Sequence, residues 1–397
     1  MINRIYYTDP ACTEFDAVVA GALEHDGRPA VELDRTAFYP TSGGQPYDTG
    51  RLGDVDVVDV LEDDDGAVIH VLSAALPQGA RVAGRVDWQR RFDHMQQHTG
   101  QHVLSRAFIQ TASLPTVSFH MGDEACTIDL EGGGFDENAA KRAEDLANRI
   151  IEENRPIDIR SVPLAELDQL ELRRKVPEGV TIARIVSVRD FDAIPCCGTH
   201  VRSTGELGLV KVLRAERVKQ LNRVHFKVGQ RALDDYREKH AIVQSLANRL
   251  TTSPADLMAK IERMTDESQA AGKQAKRLIQ RLAEVQAGAL LHAAARVGDR
   301  RVVVHRENDA ALARALGSVL QNEPGTVALV GADDGTVVCA AARDVTIDLA
   351  TVASATAREL GGSGGGKGGF AQLKLPDGSR VDELLQRMHA YVAQQLS

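Results

Sequence analysis

Two pairs of metal-binding residues, each with its members four residues apart, constrain the fold of this 397-residue chain most strongly. The segment HMQQHTGQHVLS places His94, His98 and His102 on one face of a helix. The segment DAIPCCGTH sets Cys196 and His200 at the same spacing. Two imidazoles of the first segment, with this cysteine and histidine, suit a tetrahedral Zn²⁺ ion. The fold must then bring two distant segments together.

The three histidines of the first segment cannot all bind one ion. One helical turn advances about 5.4 Å, whereas zinc ligand atoms lie about 2 Å from the metal. The spacing alone leaves open which two bind. We expect Cys197 to point away from its neighbour as a small buried side chain. The sequence HTGQH lacks the Glu of the H-E-x-x-H motif, which argues against a zinc peptidase.

The cysteine count and the apolar pattern predict a cytoplasmic protein without a membrane partner. Five cysteines are too few for a disulfide framework and suit a reducing compartment. No segment has the roughly 18 to 20 consecutive apolar residues that a membrane span requires. The first fifteen residues lack the apolar region of a signal peptide. The net charge of −9 argues weakly against coating nucleic acid, although a local basic patch can outweigh that average.

Changes in the hydrophobic pattern predict an α+β multidomain protein. Residues 1–89 alternate apolar and polar positions in short runs, which indicates an N-terminal β-barrel domain. Residues 90–231 combine two helices with several strands, so we expect a mixed α+β zinc-binding domain. In the second of these helices Asp136 is a candidate N-cap and Pro156 a stop.

The hydrophobic and charge pattern changes twice in the second half of the chain. Residues 232–297 are charged and periodic, with a break at Ser253 and Pro254, which predicts a long antiparallel helical hairpin. Residues 298–397 return to a C-terminal α/β pattern. The apolar stripes of the hairpin, or the C-terminal domain, can mediate a homodimer.

Four motifs, in order, resemble the editing domain of alanyl-tRNA synthetase and its free-standing relatives. The HxxxH of RFDHMQQHTGQHVLS and the CxxxH of CCGTHVRSTGELG resemble the editing motifs. FYPTSGGQPYDTG, residues 38–50, is similar to the glycine-rich loop of the family's barrel, and GGSGGGKGGFAQ to the signature of its DHHA1-type domain. The chain has no room for an aminoacylation domain, so it resembles the long form of the free-standing editors (AlaX-L). This resemblance assigns the metal ligands and leaves His94 outside: His98, His102, Cys196 and His200.

The resemblance implies a trans-editing hydrolase, with zinc as cofactor, that removes serine, and also glycine, from mischarged tRNA(Ala). Zinc can polarise a carbonyl or lower the pKa of bound water to about 7. Four protein ligands close a tetrahedral site, however, whereas catalytic zinc usually keeps a position open. We expect a water at or next to zinc to attack the ester, with Thr99 and Gln101 as candidate catalytic residues. The alternative is a non-catalytic, zinc-stabilised tRNA-binding module.

Two segments supply candidate substrate-binding residues. Thr116 and Ser118 lie on an expected strand, TVSFHMG, where a hydroxyl can bond the serine side chain; the alternative is an ordinary strand hydroxyl. The glycine-rich loop can contact the substrate or the terminal adenosine, or can be a tight turn packed on the zinc domain. Its candidates are Thr41, Gly43, Gly44 and Gln45.

Two further segments are candidates for tRNA binding. Residues 211–231 hold seven Lys or Arg against one Glu, which suits an acceptor-stem backbone, although such runs are often solvated faces. The glycine run satisfies G-x-x-x-x-G-K, but Gly368 stands where a phosphate loop has Ser or Thr, which argues against an NTPase. We expect it to contact RNA phosphate, with a flexible surface loop as the alternative. The candidates are Lys211, Arg214, Arg217, Lys219, Arg223 and Lys367.

Overall fold

A closed β-barrel forms the first part of the computed structural model, which describes residues 3–133, 135–176 and 180–397. Its six strands follow the order β2-β3-β7-β6-β5-β8, and every neighbouring pair is antiparallel. Leu33, Leu52 and Val60 are fully buried in its core. The predicted N-terminal β-barrel is therefore confirmed. Its elements are β1 (Asn3–Arg4), α1 (Ile5–Thr8), β2 (Glu14–His25), β3 (Arg28–Leu33), β4 (Arg35–Thr36), β5 (Gly50–Leu52), β6 (Val55–Glu62), β7 (Val68–Leu72) and β8 (Arg81–Val86).

A central helix, α2 (Trp88–Ala112), follows the barrel directly. Its first turn is capped by the side chain of Asp87, which accepts a hydrogen bond from the Arg90 amide at 3.2 Å. Some of the buried polar residues on this helix are satisfied by strand backbone. The side-chain amide of Gln97, for example, donates to the Val228 carbonyl and accepts from the Val228 amide, both at 3.0 Å.

Two sheets and a second long helix surround α2. The four-stranded antiparallel sheet has the order β14-β15-β10-β9, and a three-stranded antiparallel sheet has the order β11-β12-β13. Asp136 caps α3 as predicted, accepting from the Ala139 amide at 2.6 Å. The elements are β9 (Thr116–Met121), β10 (Cys126–Leu130), α3 (Glu137–Glu152), β11 (Ile157–Pro163), β12 (Ile182–Val188), β13 (Asp192–Pro195), β14 (Val210–Val218) and β15 (Leu221–Val228).

Two long helices follow, α4 (Gln230–Arg249) and α5 (Leu257–Ala293). Ser253 accepts from the Asp256 amide at 3.2 Å, and Pro254 begins a short helical turn, so the predicted break lies where the sequence placed it. The chain divides into two compact units, Met1–Ser245 and Leu246–Ser397, and α4 crosses that boundary. The antiparallel hairpin therefore stays a prediction.

The second unit contains a six-stranded sheet of order β16-β17-β18-β19-β21-β20, parallel only between β17 and β18. Alternate residues of β18 face opposite sides. Val327 and Leu329 pack with α7 and α8, whereas Ala328 and Val330 pack with α5 and α6. The elements are β16 (Ala295–Val297), β17 (Arg300–Glu307), α6 (Ala310–Gln321), β18 (Thr326–Ala332), β19 (Thr336–Ala341), α7 (Leu349–Glu359), β20 (Ser363–Lys367), β21 (Phe370–Lys374) and α8 (Val381–Leu396).

The glycine run forms an edge hairpin, so the flexible-loop alternative is wrong. Ser363–Lys367 is strand β20, which pairs with β21 across a tight turn at Gly368 and Gly369. Glycine suits this strand because a Cβ at Gly366 would lie 1.8 Å from the Phe370 carbonyl oxygen. Within the described ranges, no helix is both long and apolar enough to cross a membrane.

Candidate metal centre and adjoining cavity

The structure brings the four predicted ligands together. The ligand atoms of His98, His102, Cys196 and His200 all lie within 4.8 Å of one another. Cys196 Sγ is 3.4 Å from His98 Nε2 and 3.3 Å from His200 Nε2. Ideal zinc bond lengths give tetrahedral edges of about 3.3 to 3.6 Å. The spacing and the mixed nitrogen and sulfur donors therefore fit a metal ion of the zinc type.

An amide from the barrel orients the first ligand. Gln45 Oε1 lies 2.8 Å from His98 Nδ1 and accepts from the Thr199 amide at 3.2 Å, while its Nε2 donates to Thr199 Oγ1 at 2.8 Å. Because Oε1 can only accept, His98 must carry its proton on Nδ1. This leaves the lone pair of Nε2 directed at the cluster. Such a partner fixes the tautomer and ring orientation of a metal ligand.

A hydroxyl plays the same part for His200. Thr99 Oγ1 lies 3.1 Å from His200 Nδ1 and accepts from the Val201 amide at 3.3 Å. With Nδ1 as donor, His200 also presents a lone pair from Nε2. Thr99 and Gln45 thus support ligands from behind, and neither lines the cavity beside the cluster.

The turn that carries Cys196 needs a glycine and an arginine. A Cβ at Gly198 would lie 2.1 Å from Cε1 of His98, so only glycine lets the turn approach the histidine. Arg184 Nη1 donates to the carbonyls of Cys196 and Gly198 at 2.7 and 2.9 Å. A charged residue within the otherwise apolar strand IARIVSV is the sequence signal that could have indicated a role for Arg184 in holding this turn.

Burial keeps the ligands in their neutral forms. It lowers the pKa of His98 to about 3, with Arg184 and His94 adding to the effect, and lowers the pKa of His102 and His200 well below the usual range. Burial raises the pKa of the Cys196 thiol to about 11. The imidazoles are ready to bind a metal, whereas the thiol must lose its proton when the metal arrives.

His94 lies outside the cluster, one turn earlier on α2. It is only 3% exposed, and its Nδ1 has no partner among the described residues. Burial lowers its pKa to about 4. It lines a separate cavity of about 1130 Å³ at the start of α2.

A cavity of about 210 Å³ opens beside the cluster. Besides ligands, its lining includes four predicted site residues, Gly43, Gln101, Thr116 and Ser118. It also includes side chains that sequence reasoning did not single out, among them Tyr39, Phe119 and Arg173. Polar groups of a small substrate would meet hydroxyl, amide and guanidinium donors here.

Sequence comparison adds an independent observation. A family model described as the threonyl and alanyl tRNA synthetase second additional domain matches residues 183–225, and a DHHA1 domain model matches residues 299–394. The alanyl-tRNA editing protein AlaX-L of Pyrococcus horikoshii is 33% identical over 389 residues, covering 94% of this chain and 95% of that protein. The chain belongs to the AlaX-L family of alanyl-tRNA editing proteins.

Alanine–tRNA ligases are also similar to this AlaX-L family member, but over part of their length. Those of Pyrococcus furiosus and Natronomonas pharaonis are 31% and 33% identical. The matches cover 97% and 96% of this chain but only 43% of each ligase.

Two of the predicted site residues of this AlaX-L family member form hydrogen bonds to the same hydroxyl. Gln101 Nε2 and Thr116 Oγ1 both donate to Ser105 Oγ, at 2.8 and 2.7 Å. Ser118 instead donates to Asp129 at 2.7 Å, and Asp129 forms an ion pair with Arg223 at 2.7 Å. Arg223, predicted to contact tRNA, therefore also anchors the carboxylate behind a cavity residue.

The glycine-rich loop is a tight turn packed against β9. Gly43 and Gly44 have φ of +58° and +84°, as predicted for glycines in such a turn. The Gly44 carbonyl accepts from the Met121 amide at 3.2 Å, and a Cβ there would lie 2.8 Å from a backbone oxygen of Phe119. Thr41 is exposed and accepts from the Tyr47 amide at 3.2 Å, so its hydroxyl is part of the turn.

Cys197 contradicts the expectation of a buried side chain. It is exposed and lines the cavity. Cys196 faces the histidines, whereas its exposed neighbour is not part of the ligand cluster.

The basic stretch is largely paired with acids inside its own unit. Its ion pairs are Lys211 with Glu144, Arg214 with Glu216, Arg223 with Asp129, Lys227 with Asp235 and Arg231 with Asp93. Arg217 and Lys219, at the tip of the β14–β15 hairpin, are exposed and form no ion pair in the described part of the chain. In the other unit, Lys367 is exposed at the end of β20.

Proposed function

We propose that this chain is a metal-dependent deacylase, with zinc as the metal, that hydrolyses Ser-tRNA(Ala), and also Gly-tRNA(Ala), in trans. The observation that carries the proposal is the cavity of about 210 Å³, which is lined both by three of the four ligand residues, His98, His102 and Cys196, and by small hydroxyl side chains. Membership of a family of alanyl-tRNA editing proteins supports mischarged tRNA(Ala) as the substrate. The chain spans 43% of the length of the alanine–tRNA ligases that it matches.

The four ligand residues would hold the ion, and when bound it would polarise the ester carbonyl or acidify a nearby water. The chain's own residues position the reacting groups. Gln45 and Thr99 fix the rings of His98 and His200. Gln101 borders the cavity, and because its Nε2 donates to Ser105 it can orient the substrate through its carbonyl oxygen.

A deacylation assay on Ser-tRNA(Ala), Gly-tRNA(Ala) and Ala-tRNA(Ala) tests the proposal. Wild type should release serine and glycine, and His98→Ala or treatment with a chelator should abolish release. Metal content measured on the same samples identifies the ion. The competing function, a tRNA-binding module with a purely structural metal, predicts tRNA binding without release, and that result would refute the deacylase.

Thr116 supports selection of serine over glycine. Its hydroxyl borders the cavity and donates to Ser105, which leaves its oxygen able to accept from a serine hydroxyl. Thr116→Val keeps the shape and removes that acceptor. We expect kcat/KM for Ser-tRNA(Ala) to fall about five-fold relative to Gly-tRNA(Ala), the effect of one hydrogen bond of roughly 1 kcal/mol. An equal fall for both substrates would contradict the assignment.

Arg217 and Lys219 are our candidates for the strongest tRNA phosphate contacts, because the other cations of the stretch are paired. Exposed ion pairs are weak, so those cations add smaller contributions. Replacing both tip residues by alanine should reduce the slope of log affinity against log salt by about two. Arg81→Ala, an exposed change on the barrel, is the control. An unchanged slope would show that Arg217 and Lys219 do not contact tRNA phosphates.

We also propose the division into four domains, 1–89, 90–231, 232–297 and 298–397, and a homodimer through the helices or the last domain. Exposed apolar side chains on α4 and α5 support the dimer, among them Ile242, Ile261 and Leu282. Light scattering with size exclusion tests it, and a monomer at all concentrations would refute it.

A further inference from the structure

Two guanidinium nitrogens beside the metal centre, Nη2 of Arg173 and Nη2 of Arg184, have no hydrogen-bond partner among the residues that the structure describes, and of these two arginines Arg173 is the one that lines the cavity. Nη2 of Arg173 is buried without a hydrogen bond, and the side chain as a whole is only 5% exposed. Buried polar groups are nearly always paired, so an orphaned donor in a cavity needs an explanation. A missing acceptor is the simplest one.

The rest of the Arg173 side chain is firmly held. Its Nε lies 3.0 Å from both carboxylate oxygens of Asp192, which is buried at the start of β13. Its backbone amide donates to the Ala193 carbonyl at 2.8 Å. The guanidinium is therefore fixed through its Nε, and the unpartnered Nη2 keeps N–H groups for an acceptor that enters the cavity.

The neighbouring arginine shows the contrast. Arg174 also borders the cavity, but its Nη2 donates to the Val117 carbonyl at 3.0 Å and thereby ties the segment to β9. The Nη2 atoms of these two adjacent arginines thus differ in their hydrogen-bond partners. Of these two arginines, Arg173 is the one with a buried and unpartnered donor nitrogen.

We propose that Arg173 donates from Nη2 to the carbonyl oxygen of the aminoacyl ester and stabilises the negative charge that develops there. The assignment rests on the proposed deacylation. Water oxygen bonds to the carbonyl carbon, the bond to the ribose oxygen breaks, and one water proton ends on that ribose oxygen. While the tetrahedral carbon exists, the former carbonyl oxygen is an anion, and a fixed donor favours this state most.

The location favours the reacting ester over the phosphate of the terminal nucleotide. Arg173 lines the same small cavity as His98, His102 and Cys196. A phosphate carries its full charge before and after reaction, so binding it would strengthen association without speeding the chemical step. A donor enclosed beside the ligand set is placed to act on the step itself.

Steady-state kinetics on Ser-tRNA(Ala) with the full-length, metal-loaded protein test the proposal. We expect Arg173→Ala to lower kcat about 100- to 1,000-fold with KM unchanged. Arg173→Lys should recover only part of the rate, because an ammonium lacks the two-sided fork that reaches both Asp192 and the substrate. Added guanidinium ion should partly rescue Arg173→Ala. Arg160→Ala, an exposed arginine on β11, is the control and should keep wild-type kinetics.

Several results would overturn the assignment. A raised KM with unchanged kcat would place Arg173 on a phosphate. Loss of bound metal in both Arg173 variants, with no rescue by guanidinium, would give the arginine a purely structural role. An active wild type with an equally active Arg173→Ala would refute this inference alone, whereas an inactive wild type would refute the proposed function as well.

Discussion

The two halves of α2 both bury histidines, yet only one half builds a ligand cluster. His94 and His98 are each 3% exposed, and burial lowers the pKa of both, to about 4 and about 3. His98 meets Gln45 from the barrel and Cys196 from a distant turn. His94 meets no partner for its Nδ1 within the described residues.

This difference shows that burial and helical spacing do not make a metal ligand. A second segment must converge on the same point, and an outer partner must fix the ring. The first half of α2 instead joins the helix to the barrel. Arg91, fully buried, binds the Asp48 carboxylate and donates to the carbonyl of Pro10 at 2.7 Å.

The largest expected effect follows removal of a ligand from the second half. His98→Ala should lose bound metal and deacylation together, because three remaining donors cannot restore the set. Metal content by mass spectrometry and serine release from Ser-tRNA(Ala) measure both. A variant that kept full metal occupancy would remove the basis for dividing the helix in this way.

A change in the first half should affect stability instead. Arg91→Met leaves the Asp48 carboxylate buried without its cation, which should cost about 3 to 5 kcal/mol of unfolding free energy. Urea denaturation measures it. The double variant Arg91→Met with Asp48→Leu should recover much of the loss, since no unpaired charge remains. No recovery would show that the carbonyl contacts matter more than the ion pair.

A smaller effect should follow loss of the outer partner of His98. Gln45→Ala removes the acceptor for Nδ1 and should weaken metal affinity roughly 10- to 100-fold. Competition with a metal chelator gives the dissociation constant. Thr41→Ala, an exposed change in the same loop, should leave the affinity alone. Equal losses in the two variants would point to loop disruption rather than to ring orientation.

The smallest effect is expected at His94. His94→Ala should retain metal and deacylation, because its ring takes no part in the ligand set. The same mass spectrometry and release assays apply. Metal loss here would mean that the first half of the helix also belongs to the metal centre.

Local sequence signals predicted much of the fold. Alternation indicated the barrel, and the caps at Asp136 and Ser253 mark helices that the structure has. The four ligands were named from the family resemblance, since spacing alone could not choose among three histidines. The strand conformation of the glycine run was harder to predict, because it depends on pairing with β21 rather than on the run's own composition.

Long-range pairing explains what the sequence could not show. The partner of Arg223 is Asp129, 94 residues earlier. The sequence of the basic stretch therefore suggested more unpaired cations than the structure has. Arg173 carries no motif, and its side chain is placed by Asp192. Cys197 was misjudged because burial was inferred from residue type, whereas the turn geometry decides which of two adjacent cysteines faces inward.

The separation of the ligands along the chain has a consequence for the order of events during synthesis. Cys196 lies 98 residues after His98. At about 5 to 20 residues per second, a ribosome needs roughly 5 to 20 s to cover that interval. The barrel sequence, with Gln45, is synthesised well before Cys196 and His200, so the complete ligand set becomes available only after the whole barrel has been made.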